Sequence, residues 1–196
     1  MTLLALSAMI LAAVLGAIVC FRVPAVSVRA RRTWATVFLI LLVLAAGTAA
    51  ASALQGKGAG IEPWGAVLAI VSAVAAAALT GSPVTAAVLQ FSQRTGRLYR
   101  SGRRPEPSDT APADPERDSD LHGGLWIGVL ERIGVAVTLI AGWPTGLTVL
   151  AAIKALGRFA ELKEPDAVER FILGTFGSFL WAAAWAGVAM LLTQGL

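Results

Sequence analysis

The chain has 196 residues, 57% of them hydrophobic and 14% charged, with a net charge of +4 and a mean hydropathy of +0.73. Soluble domains carry about 45–50% apolar and about 25% charged residues, and a chain this short cannot hide so much apolar surface from water, which excludes the soluble globular class. A lone cysteine, Cys20, excludes a disulfide scaffold, and a lone histidine, His122, excludes multi-histidine metal sites.

What remains is an all-α, polytopic membrane bundle. A spanning helix takes about 20 mostly apolar residues. In chain order, residues 3–21, 34–54 and 64–79 meet that requirement cleanly. Residues 125–143 are long enough but carry Glu131 and Arg132, residues 145–159 are shorter and interrupted by Lys154 and Arg158, and residues 171–192 are again clean. A cleaved signal peptide needs a basic start. No charge precedes Arg22, so the first segment is expected to stay as a helix.

Basic residues set the orientation. Arg22, Arg29, Arg31 and Arg32 follow the first span, and Arg94, Arg97, Arg100, Arg103 and Arg104 follow the third, whereas the intervening loop carries only Lys57. Both arginine-rich stretches belong in the cytoplasm, which places the N-terminus outside. If residues 145–159 cross, Arg158, Lys163 and Arg170 also fall inside, so the rule predicts six spans with both termini outside. Trp34 and Trp126 then mark inner boundaries and Trp64 and Trp143 outer ones. Arginine outnumbers lysine 13 to 3 in an alanine-rich chain, a usage that points to a bacterial cytoplasmic membrane and, with this topology, makes nucleic acid an unneeded partner for the positive charge.

The stretch Thr80-Gly81-Ser82-Pro83 is expected to break the third span, with Ser82 capping a new helix and Pro83 at its first position. Beyond it, Val84, Val88, Phe91 and Leu98 share a face and Arg94, Arg97 and Arg100 lie elsewhere. Two readings stand side by side. Residues 83–100 form an amphipathic helix on anionic headgroups, where each basic residue gains about 1 kcal/mol, or they extend the third span. Residues 101–121 hold four prolines, six acids and no aromatic residue, a composition too polar to order itself. They are expected to be a disordered cytoplasmic linker between two three-helix halves, residues 1–100 and 122–196. Three spans per half would invert the halves relative to each other, although they share no internal similarity.

Ionisable residues at membrane depth all fall in the second half: Glu131, Arg132, Lys154, Arg158 and Glu161. Each such charge costs about 2.5–3.5 kcal/mol at a helix centre and marks function by default. Counted from a turn centred on Trp143-Pro144, Glu131 lies level with a point between Lys154 and Arg158, which are four apart and share a helix face. A Glu131 bridge to Lys154, Arg158 or both is expected, with Glu161 three residues further on. Cβ bonds lean toward a helix's N-terminus. Arg132 is therefore expected to snorkel to cytoplasmic water, while Lys154 and Arg158 lean deeper and need a partner. Gly124 and Gly128 line the fourth span and Gly174, Gly177 and Ser178 the sixth, where small residues allow close helix approach. Trp181 and Trp185, on one face of the sixth span, read as packing or lipid contacts. Glu169 sits near that span's start, where an acid favours the helix dipole.

The blocks Gly124-Leu125-Trp126-Ile127-Gly128-Val129-Leu130-Glu131-Arg132, Ala152-Ile153-Lys154-Ala155-Leu156-Gly157-Arg158-Phe159-Ala160-Glu161-Leu162-Lys163 and Glu169-Arg170-Phe171-Ile172-Leu173-Gly174-Thr175 resemble the C-terminal segment of an uncharacterised family of bacterial integral membrane proteins. The resemblance covers about residues 123–180. The family's histidine-rich N-terminal part has no counterpart here. The resemblance implies that Glu131, Lys154, Arg158 and Glu161 matter, and assigns them no activity.

No phosphate loop, Ser/His/Asp set or Cys/His cluster is present, so neither catalytic residues nor a cofactor or metal is expected. Three readings follow. The charge cluster of spans four to six serves a small transporter, channel-like or anionic-ligand-binding protein. Alternatively it is a lock within an accessory or scaffolding subunit that binds another membrane protein or its own copy. Least favoured is an enzyme acting on a phosphorylated lipid, with Glu131 or Glu161 as base.

Overall fold

The structure is a computed structural model that describes residues 2–22, 28–54, 63–100, 121–157, 159 and 165–193. These residues form six helices: α1 (Thr2–Arg22), α2 (Val28–Leu54), α3 (Pro63–Arg100), α4 (Leu121–Ile140), α5 (Gly146–Gly157) and α6 (Pro165–Thr193). Four of them, α1, α2, α3 and α6, contain stretches long and apolar enough to cross a membrane. The described part of α4 has twenty residues with two charges at its middle. The twelve residues of α5 rise about 18 Å, short of a hydrocarbon core of about 30 Å. Of the segment expected as a linker, residues 101–121, all but Leu121, which begins α4, lie outside the described residues.

Composition dictates how these helices pack. Apolar residues cover every face, so burial cannot be driven by a hydrophobic stripe. Instead the small residues turn inward. Ala5, Met9 and Ala12 of α1, Ala45, Ala49 and Ser52 of α2, and Ala69, Ala73, Ala76 and Ala77 of α3 are buried. Leu3, Leu4 and Val14 of α1, Leu39, Ile40 and Val43 of α2, and Val67 and Val71 of α3 are exposed. Large aliphatics outside and small residues inside is the pattern favoured where the surroundings are hydrocarbon. The large interior side chains include Met9 and Leu192, Phe38, stacked at 5.9 Å on Trp34, and Trp185, edge-on to Trp181 at 6.2 Å.

The first three helices do not form a unit apart from the last three. The packing of α3 against α6 is the most extensive in the molecule, and α3 also packs on α4, while α6 reaches α2. Gly174 and Gly177 accordingly face Leu89 and Val88 of α3, rather than closing a bundle of the fourth to sixth helices alone. Those contacts, at 3.8 Å from an added Cβ, are ordinary van der Waals spacing.

The expected break at Ser82 does not occur. Helix α3 runs unbroken for 38 residues with Pro83 inside it, so residues 83–100 extend the third helix. Pro83 has no N–H for the carbonyl of Leu79, and neighbouring helices pack closely around that point. Thr80 donates to Ala76 O at 2.6 Å and accepts from Trp181 Nε1 at 2.9 Å. From the other side, Gly16 of α1 comes so near that an added Cβ would lie 2.9 Å from Thr80 Cγ2 and 3.2 Å from the Leu79 backbone.

Gly16→Ala is expected to destabilise the fold by about 1–3 kcal/mol, because backbone as well as a methyl group blocks the new Cβ. Gly47→Ala, with nothing within 4 Å, should leave thermal unfolding in detergent unchanged or raise its midpoint. Equal effects at the two positions would show that the α1–α3 approach is not tight.

Candidate functional site

The hairpin of α4 and α5 is built by a glycine. Gly142 has a φ of +70°; its N–H bonds Leu139 O at 3.0 Å and the Trp143 N–H bonds Thr138 O at 2.9 Å. This doubly bonded left-handed turn stops a helix, and Pro144 keeps it from resuming. The chain then folds back tightly. An added Cβ on Gly146 would lie 2.6 Å from Thr138 Cγ2, and one on Gly134 would lie 3.1 Å from Leu150.

Those contacts centre the hairpin on Gly142, not on Trp143-Pro144, and so move each partner on α5 back along the chain. Glu131 therefore meets Lys154, with Nζ donating to Oε2 at 2.5 Å. The pair is mostly enclosed, with side-chain exposures of 19% for Lys154 and 14% for Glu131. Arg158 and Glu161, the other two members of the expected cluster, lie outside the described residues.

Arg132 overturns the expectation of a snorkelling side chain. It is 3% exposed and points into α3. Its Nε donates to Ala78 O at 3.0 Å and its Nη2 to Ser82 Oγ at 3.1 Å. Gly81 makes room for it. A Cβ there would lie 2.4 Å from Arg132 Cδ and 2.5 Å from Nε. Gly128, one turn earlier on α4, leaves space for Nη1, which an added Cβ would meet at 3.3 Å. A lean toward the helix N-terminus fixes the axial direction of a side chain but not the face it takes, and on this face α3 stands between Arg132 and water.

The remaining expected residues are distributed differently. Gly124 is in the first turn of α4, and Arg94, Arg97 and Arg100 fall on the last turns of α3, more than a turn beyond the layer of Arg132. At that end Ser92 Oγ donates to Glu169 Oε1 at 3.1 Å, tying α3 to the start of α6. Trp181 and Trp185 are buried packing residues. Among the described residues no group of three or more metal-ligating side chains occurs.

Sequence reasoning missed Thr80, Gly81, Ser82 and Arg132 as one layer. The signal was present. A Gly-Ser-Pro run within a span supplies a notch, a hydroxyl and a helix with one N–H too few, which together suit a long cationic donor from a neighbour.

No protein-family model matches this chain, and comparison with curated proteins and with solved structures finds no similar chain.

Two sets of variants check the geometry. Gly81→Ala and Arg132→Gln should destabilise by similar amounts, with the double variant little worse than either, because both disturb one contact; additive losses would show that Gly81 does not hold Arg132. Lys154→Met alone should cost about 1–3 kcal/mol by leaving Glu131 unpaired. Lys154→Met with Glu131→Gln should recover much of that loss in the same detergent melt.

Proposed function

We propose that the chain is a bacterial cytoplasmic-membrane protein that binds an anionic ligand within the bilayer, as a small transporter or channel-like protein. One observation carries this reading. Arg132 is buried and donates only to neutral groups, Ala78 O and Ser82 Oγ, while the adjacent carboxylate of Glu131 is engaged by Lys154. The charged layer thus holds one cation that no carboxylate within ion-pair distance offsets among the described residues. Ionisable groups at membrane depth mark ligand paths by default, and a guanidinium recognises anions through several donors at once.

In this reading both termini lie outside and α4 and α5 complete six spans. Arg94, Arg97 and Arg100 meet anionic headgroups on the cytoplasmic face.

A second reading, an accessory or scaffolding subunit, is favoured by the closed Glu131–Lys154 pair. It fixes α5 against α4 and leaves Val149, Ile153 and Leu156 exposed, as a surface for a membrane partner or a second copy would be.

Reconstitution in liposomes separates the two. Arg132→Gln should reduce anion uptake about tenfold or more while the protein stays monodisperse and helical, and Lys154→Met should reduce it less. If both variants lower only the yield of folded protein and leave uptake per folded molecule unchanged, the scaffolding reading replaces the first.

A further inference from the structure

We propose that the ligand is a compact inorganic anion of halide size, and that α6 supplies part of its site through Ser178, beside Arg132 of α4 and Ser82 of α3. This rests on the anion-binding reading above and deepens it by naming the ligand class and the third helix.

Ser178 is 3% exposed, and its Oγ has no hydrogen-bond partner among the described residues. Other buried hydroxyls in this bundle satisfy themselves on their own helix: Ser52 on Ala49 O, Ser72 on Ala69 O and Thr80 on Ala76 O. Ser178 does not, and one turn earlier the buried Oγ1 of Thr175 also lacks a partner. A buried polar group left unpaired costs about 1–3 kcal/mol, and an unseen ion or water is a standard cause.

On α6, Ser178 lies between Gly177, which faces Val88 of α3, and Trp181. Trp181, three residues on, bonds Thr80. Thr80 lies between the two α3 groups that Arg132 engages, Ala78 O and Ser82 Oγ. Both α3 and α6 pack on α4, and they pack on each other, so Ser178 stands on the third helix of the group that encloses the Arg132–Ser82 contact.

The chemistry of that group selects sign and size. A guanidinium has five N–H donors, and α3 takes two. Serine and threonine hydroxyls can add donors, and Glu131 is already engaged by Lys154. A surplus of donors and positive charge attracts an anion and repels a cation. Arg132 and Ser178 are both almost wholly enclosed, which limits any occupant to a compact ion and excludes a phospholipid headgroup with its chains.

The test uses the full chain in detergent, followed by thermal unfolding in sodium chloride, bromide, phosphate or gluconate at equal ionic strength. Chloride and bromide should raise the melting temperature by about 3–5 °C over gluconate, with phosphate ineffective. Ser178→Ala, which removes one oxygen from a position where alanine packs well, should lose most of that shift while remaining helical, as should Arg132→Gln. If the halide shift survives Ser178→Ala but not Arg132→Gln, the place of Ser178 in the site is wrong and the anion reading stands. A shift with phosphate alone overturns the halide assignment. No shift with any anion overturns both readings together.

Discussion

The architecture turns on a single buried cation. Arg132 leaves α4, passes through the notch at Gly81 and ends on the carbonyl of Ala78 and the hydroxyl of Ser82. A buried guanidinium is expensive, and its neighbours reflect that cost. The missing side chain at Gly81 provides space, and Ser82 provides an acceptor. Pro83 lies inside a helix that nevertheless continues for 38 residues, held on its other sides by α1 and α6.

Thr80 extends this constraint to the rest of the bundle. Its methyl group receives the close approach of Gly16 from α1, and its hydroxyl accepts the Trp181 indole from α6. Within about six residues, α3 therefore contacts three other helices through three kinds of interaction: backbone proximity, a neutral hydrogen bond and a charged one. Where apolar side chains face outward everywhere, such specific contacts are what distinguishes one helix arrangement from another, because burial of hydrocarbon gives little preference in hydrocarbon surroundings.

The two charged contacts have opposite characters. Glu131 and Lys154 pair across the α4–α5 hairpin, and α5, which packs chiefly on α4, stays at the edge of the bundle. Arg132, the very next residue, faces inward and finds neutral acceptors. Adjacent helix positions diverge by about 100°, so one turn of α4 can hold both a closed pair and a cation whose hydrogen bonds go to neutral acceptors. The first ties α5 to α4, and the second ties α4 to α3.

Much of this was legible in the residues. The all-helical class and the apolar segments follow from composition, and the need of Glu131 for a cationic partner on the fifth helix follows from the cost of burying charge. Even the Glu131–Lys154 pairing was nearly reached by counting from a turn, and missed its centre only because Gly142, rather than Pro144, sets the reversal. Crossing number is different: α4 and α5 carry charges or fall short in length, and sequence rules alone assigned them to the membrane. Local sequence could not say which neighbour faces a given helix side. Axial lean predicted a snorkelling Arg132, and a Ser-Pro pair predicted a broken third helix. Both expectations failed because α4 lies against α3 at that notch, where a donor from one helix meets an acceptor-rich stretch of the other. The chain thus determined on its own which segments are helical and which charges are costly, since these depend on residue type and spacing. Only the packing of α3 against α1, α4 and α6 decided where those charges end, because contacts between residues fifty positions apart are set by the relative placement of helices and not by any pattern along one of them.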